Sequence, residues 1–217
     1  MMRVIILAAG ESFHLDGVNK ILMIDPITRL KLIDLFLKIF GEYKISVVVG
    51  YKAIELIQEY PNLNYIYNPD WAVTGNAYSL GLALDDEPCF VISGDLIIER
   101  ALIKTMLKAD GNCVLTEFTE NRRLTSLNCS LVGNVITEIY QGPLRDIRHP
   151  EAHGVFKIVD REAIRIWKRS CLKHTNLFAG QTLPLSKAKF YSIDKGKFRL
   201  DEVDTVMDYI NLTRKVS

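Results

Sequence analysis

Val4-Ile5-Ile6-Leu7-Ala8-Ala9-Gly10, followed ten residues later by Lys20, is the stretch on which the reading of this chain turns. The apolar, β-branched run predicts a buried strand over residues 3–8. Ala8-Ala9-Gly10 then removes side-chain bulk where that strand ends, so a ligand can lie on bare backbone and accept from its N–H groups. Lys20 adds a mobile positive charge on the far side of the same loop. Strand, small-residue turn and lysine together describe a phosphate site. The competing reading is tight strand–loop packing beside a solvated lysine, and this segment alone leaves both open.

Working outward, the first half alternates strands and helices. Helical spacing runs through residues 29–40 (Leu30, Ile33, Leu37, Phe40), with Gly41 as a stop. Residues 44–49 read as a second buried strand, 51–60 as a helix stopped by Pro61, and 63–67 as a third strand. A helix over 76–85, a strand over 89–92 and a helix over 99–109 follow. This order predicts an α/β fold with a mostly parallel central sheet and helices on both faces. Ligands of such sheets sit at the carboxyl ends of the strands, where Ala9, Gly50, Asn68 and Asp95 could share one crevice.

The second half changes character. Strands are expected near 113–118, 127–132, 135–140 and 153–159, with a hairpin turn at Val132-Gly133-Asn134-Val135 and a loop over 142–152. Helices are expected at 160–172 and 204–214. No repeat or linker divides the chain, so residues 1–217 read as one domain, with a first half (1–110) and a more antiparallel second half (111–217).

Composition narrows the function classes. A chain of 217 residues can bury a sizeable core, and 48% hydrophobic with 24% charged residues is ordinary for a globular protein. A net charge of +1 gives no footprint for nucleic acid or an anionic membrane. No apolar run approaches the ~20 residues of a membrane span, and Glu11, His14 and Asp16 interrupt the opening run too soon for a signal peptide. Cys89, Cys113, Cys129 and Cys171 lack paired spacing for zinc, and Cys89 and Cys113 lie in strand-like runs as core thiols. The expected compartment is the cytoplasm. The four histidines have no serine or cysteine partner motif for a nucleophilic triad.

Three further segments hold chemically versatile residues. Ser93-Gly94-Asp95 follows an apolar strand, and taken alone Asp95 fits a turn or helix cap as well as a ligand. In Leu200-Asp201-Glu202-Val203-Asp204-Thr205-Val206-Met207-Asp208, Asp204 or Thr205 can cap the last helix, with Asp208 at its positive end. Asn68-Pro69-Asp70-Trp71-Ala72-Val73-Thr74-Gly75-Asn76-Ala77-Tyr78-Ser79-Leu80 permits an N-cap at Asn76 and a buried Trp71.

Leu7-Ala8-Ala9-Gly10 through Lys20-Ile21-Leu22 resembles the signature loop of the nucleotidyltransferases that activate sugar phosphates and alcohol phosphates. Its middle departs from the pattern: Ser12 replaces a glycine, His14 an arginine suited to a triphosphate, and Asn19 a proline. The resemblance implies a glycosyltransferase A-like (Rossmann-like) fold with a smaller antiparallel acceptor-binding part. It implies that Leu7, Ala8, Ala9, Gly10 and Glu11 bind nucleotide, that Lys20 is catalytic, and that Asp95 and Asp204 share Mg2+. The Asn76…Ser79 segment is similar to the branch that uses CTP with phosphocholine-like acceptors. It implies that Asn76 and Ser79 bind nucleotide, with amide groups that can meet a pyrimidine edge. Trp71 is then assigned to the acceptor, as is Glu151, which lies before Gly154-Val155 where relatives carry an acid before Gly-Ile.

The Glu-Lys-Pro of many sugar-nucleotide enzymes is missing, because the chain reads Tyr140-Gln141-Gly142-Pro143; Arg145, Arg148 and Lys157 are open substitutes. The expected activity joins a nucleoside triphosphate, CTP favoured, to a small phosphorylated alcohol or sugar with release of pyrophosphate. Alternatives are a nucleotide-binding regulator without turnover, and a molybdopterin guanylyltransferase-like enzyme or glycosyltransferase. Homo-oligomerisation is left open.

Overall fold

A computed structural model describes residues 2–120 and 122–214. The opening run forms β1 (Arg3–Ala8), whose alternate side chains serve two cores, as the two-residue period of a strand requires. Val4 and Ile6 face one core and Ile5 and Leu7 the other. Next come α1 (Leu32–Phe40), β2 (Lys44–Val49), α2 (Ala53–Glu59), β3 (Asn64–Tyr67), α3 (Asn76–Ala83) and β4 (Cys89–Ser93). β2 and β4 flank β1 in parallel, and β3 extends the sheet beyond β2.

The remaining strands are β5 (Leu96–Ile98), β6 (Asn112–Glu117), β7 (Leu127–Val132), β8 (Val135–Gln141), β9 (Glu151–Ile158), β10 (Phe190–Asp194) and β11 (Leu200–Glu202). Helices α4 (Arg100–Lys108), α5 (Arg161–Lys173) and α6 (Val206–Arg214) are interspersed. Phe36 and Phe40 of α1, with Leu102 and Met106 of α4, fill the core on the Val4 side. Leu80 of α3 and Trp167 of α5 fill the other. Each fully buried side chain of this kind contributes roughly 1.5–3 kcal/mol, which is what holds both helical layers to the sheet.

The expected mostly parallel sheet gives way to a mixed one. β9 runs antiparallel between β4 and β6, and the order continues through β10 and β8 to β7. β7 pairs back to the start of β9, so β9, β6, β10, β8 and β7 close into a small barrel-like ring. Only β6 and β10 are parallel neighbours within it. A strand entering from the far edge can reverse direction without a crossover helix, which local periodicity does not report.

Element ends also shift for local reasons. α1 begins at Leu32 rather than residue 29, because Ile24 bridges Lys31, Arg29 is left-handed at φ 60°, and the Asp25 carboxylate caps the amides of Ile27 and Thr28. β9 starts at Glu151, which shortens the expected 142–152 loop. β5, β10 and β11 are strands that the sequence reading did not separate from their surroundings. All four cysteines are free and buried, and burial pushes the thiol pKa of Cys89, Cys129 and Cys171 up to about 12.

Candidate active site

The carboxyl ends of β1 and β4 form the floor of a cleft. Gly94 turns the chain there in close contact: a Cβ on it would lie 2.9 Å from the Leu7 carbonyl oxygen, and its N–H donates to that oxygen at 2.8 Å. A side chain at position 94 would therefore push β4 away from β1. Gly154 of β9 is tighter still, because a Cβ there would overlap Ser93 Oγ. These two close approaches bring Asp95 against the end of β1 and pull β9 beside it.

Lys20 opens a short 3-10 turn, Lys20–Leu22, fixed by the fully buried Ile21. Its Nζ donates to Asp95 Oδ2 at 3.2 Å and Asp204 Oδ1 at 2.7 Å. Three residues separated by 75 and 184 positions in sequence thus meet at one point. Burial works against the lysine's charge, but Asp95 and Asp204 outweigh it and raise its pKa above the usual value.

Glu202, at the end of β11, completes an acidic group with Asp95 and Asp204, one oxygen of each lying within 4.8 Å of the others. Lost solvation first, then the like charges of Asp95 and Asp204, push its pKa up to about 8. Asp95 Oδ1 is buried without a hydrogen-bond partner among the described residues. A buried carboxylate oxygen is costly to leave unmatched, so this atom is set for a ligand outside the chain. Hard oxygen donors that close together, one of them unmatched, fit a divalent cation such as Mg2+.

Asp204 and Asp208 belong to the start of α6. Thr205 Oγ1 accepts from the Asp208 amide while Asp208 Oδ2 accepts from the Thr205 amide, a reciprocal cap. The cap uses the Asp208 carboxylate and leaves that of Asp204 at the cluster with Lys20 and Asp95. Arg123, which the sequence reading missed, reaches over from the β6–β7 loop. It pairs with Asp204 and, at 2.8 Å, with Asp208.

Two connected cavities open from this point. The smaller, about 200 Å³, is lined by Leu7 through Ser12, Lys20, Trp71, Asn76, Ser79 and Asp95. The larger, about 800 Å³, shares Leu7, Glu11, Lys20, Asn76 and Asp95 and extends to Glu117, Arg123, Glu151 and Phe178. Trp71 thus lies beside the Ala8–Gly10 backbone and Glu151 on the opposite wall. Gly50 and Asn68 stand behind the crevice rather than lining it. Asn68 is buried and donates from Nδ2 to Ser79 Oγ at 2.9 Å and Thr74 Oγ1 at 3.1 Å, so it shapes the Trp71 loop.

Asn76 is not the cap of α3; Gly75 holds that position. Its Oδ1 instead accepts from the Ala179 amide at 2.7 Å, which leaves the Nδ2 donors for the cavities. Of the open substitutes for the missing lysine, none lines the cleft. Lys157 donates to the carbonyls of Leu107 and Ala109 at the end of α4, Arg145 covers the Tyr140 ring at 3.9 Å, and Arg148 pairs with Asp146.

Searches against protein-family models and curated proteins find no match. Solved structures do match over the whole chain. The CTP:phosphocholine cytidylyltransferase of Streptococcus pneumoniae superposes with a TM-score of 0.76 at 16% identity, covering 100% of this chain and 99% of that one. This chain has the nucleotidyltransferase fold. The inositol-1-phosphate CTP transferase of T. maritima follows at TM-score 0.73 and 16% identity, covering 100% of this chain and 96% of that one. A putative glucose-1-phosphate thymidylyltransferase of Bacillus anthracis matches at 0.72 and 18%, covering 99% and 95%. Within this nucleotidyltransferase fold, no helix among the described residues is long and apolar enough to cross a membrane.

Proposed function

We propose that this protein is a Mg2+-dependent nucleotidyltransferase that joins a nucleoside triphosphate, CTP by preference, to a phosphorylated alcohol or sugar. The observation that carries this reading is the convergence of Lys20, Asp95 and Asp204 at the head of a cleft with two compartments. An anionic oxygen of the acceptor phosphate attacks the α-phosphorus in line, the bond to the bridging oxygen breaks, and pyrophosphate leaves. The attacking group is already ionised, so catalysis consists of positioning and charge neutralisation.

The Ala8–Glu11 backbone would receive the triphosphate, with Lys20 countering charge that builds on the reacting phosphates. Asp95, Asp204 and Glu202 would hold the divalent cation, which supplies further positive charge to phosphate oxygens. Asn76 offers amide N–H groups to the base. Cytosine accepts at both O2 and N3, whereas uracil N3 carries a proton, so these donors favour CTP. Trp71, beside the nucleotide loop, and Glu151, in the larger cavity, would serve the acceptor. Two of the three similar structures described above are CTP enzymes, which supports the same preference.

Pyrophosphate release from each of the four triphosphates, with a panel of phosphorylated alcohols and sugars and with Mg2+ or a chelator, tests the reading. Turnover of CTP with one acceptor class, abolished by the chelator, is expected. Nucleotide binding without release for every pair would make the protein a regulator instead.

A further inference from the structure

Arg123 lines the larger cavity from the β6–β7 loop, and the chain on either side of its side chain is held at Arg122 and Ser126. Its neighbour Arg122 donates from Nε to the Thr119 carbonyl at 2.9 Å and from its guanidinium to Asn128 Oδ1 and the His149 carbonyl. The Arg123 amide donates to Ser126 Oγ at 3.1 Å, and the Ser126 amide returns to the Arg123 carbonyl at 3.0 Å. The backbone is held, so the long side chain is the part free to change partners.

Its present partners conflict with a cation at the acidic group. Asp204 gives Oδ1 to Lys20 and Oδ2 to Arg123, so both oxygens are taken by the protein's own cations. A divalent cation held by Asp95, Glu202 and Asp204 would be repelled by both positive charges on the same carboxylate and binds better when one of them withdraws. Lys20 is the better anchored competitor, bonded to both aspartates with its side chain 19% exposed, against 44% for Arg123. The other contact of Arg123 is to Asp208 Oδ2, which already accepts from the Thr205 amide and hydroxyl and from the Asp204 amide. Arg123 is therefore the group that gives way.

What would receive it follows from the charges on the cleft wall. Among the described residues, Lys20 and Arg123 are the Lys and Arg side chains that line the larger cavity. Lys20 stands at the nucleotide loop, which leaves the fork-shaped guanidinium, suited to two phosphate oxygens at once, on the acceptor side.

We propose that Arg123 binds the acceptor phosphate and that, before the phosphate arrives, it blocks Asp204 against the divalent cation. This rests on the function proposed above. It makes phosphate and metal binding mutually favourable: phosphate draws Arg123 from Asp204, the metal takes the vacated oxygen, and by linkage each tightens the other.

The test uses the full chain, Mn2+ followed by the resonance of the free ion, and inorganic phosphate as the probe, with Mn2+–phosphate complexation in buffer subtracted. In the unsubstituted protein, phosphate should tighten Mn2+ binding. In Arg123→Ala, Mn2+ should bind on the order of fivefold tighter without phosphate, since a partly screened charged contact no longer competes. Phosphate should add nothing further in that variant. Arg123→Lys keeps a charge at the position and should lie between the two. Circular dichroism and melting of both variants establish that the fold is kept. Equal Mn2+ affinity in all three proteins overturns the blocking role, and a phosphate effect that persists in Arg123→Ala overturns the phosphate assignment. If even the unsubstituted protein binds no Mn2+, the metal reading of the proposed function fails, an outcome distinct from either.

Discussion

Two clusters of charge sit toward opposite ends of the β5–β11 pair, and they serve different purposes. In the first, Asp25 is fully buried, and Arg199 grips both its oxygens, at 2.8 and 3.0 Å. The amides of Ile27 and Thr28 and the Thr28 hydroxyl supply further donors. Arg199 also reaches Asp201 at 2.7 Å, so it fastens β11 to the loop that follows Lys20. In the second cluster, three carboxylates crowd around Lys20 and a buried oxygen of Asp95 has no donor among the described residues. The matched cluster has nothing left to bind and serves as scaffold. The unmatched cluster stores unfavourable electrostatics that a ligand relieves, as sites of charge chemistry do.

Substitutions should separate the two. Arg199→Met leaves the buried Asp25 charge without its guanidinium and should cost about 3 kcal/mol or more of stability, read by denaturant unfolding. A loss near zero would make the Asp25 cluster as dispensable as a surface pair. Asp95→Asn and Asp204→Asn should instead keep the fold and lower the rate of pyrophosphate release by roughly 10²–10³-fold. Near-normal turnover in either variant, at saturating Mg2+, would sink the shared-metal assignment.

Acid sharpens the same contrast. Burial tends to raise the Asp25 pKa, but Arg199, Thr28 and the Ile27 amide hold it down at about 2. Its folded value lies below its unfolded one, so its contribution is present above about pH 4 and is lost as the pH falls towards 2. That contribution is about 2 kcal/mol, and Asp25→Asn should flatten this part of the stability profile. An unchanged profile would remove Asp25 from the acid response.

The smallest expected effect is at Asn76. Asn76→Ala strips the acceptor from the Ala179 amide and should cost about 1 kcal/mol of stability. If its Nδ2 also meets the base, the CTP/UTP rate ratio should shrink. A lower melting temperature with an unchanged ratio would leave Asn76 as a tie between α3 and the Ala179 turn.

The legible parts of the sequence are those in which local pattern and long-range role coincide. Residues 3–8, 44–49 and 89–93 are mainly apolar because both faces are covered, and the small residues at 8–10 mark the end of β1 that lines the smaller cavity. Asp95 and Asp204 were readable only through the motifs around them, since nothing local says that two acids so far apart will meet. β10 (Phe-Tyr-Ser-Ile-Asp) and β11 (Leu-Asp-Glu) are short and half polar, and their strand character comes from partners rather than periodicity. Arg123 lies in a polar loop with no motif, and a pair of adjacent arginines was the one available signal. The antiparallel insertion of β9 is likewise decided by pairing across the chain.

That strand belongs to two structures at once. Its later residues, Val155 to Ile158, pair with β4, while Glu151 and Ala152 pair with β7 in the ring. Between Val114 and Thr116 of β6, the facing residues of β9 jump from Phe156 to Ala152, so a bulge interrupts the register there. In an unbroken strand, gaining or losing one residue turns every later side chain to the opposite face. Here the interruption absorbs such a change before it reaches Val155 and Phe156. The wall built on the start of β9 can therefore change length without rewriting the cleft floor at the ends of β1 and β4.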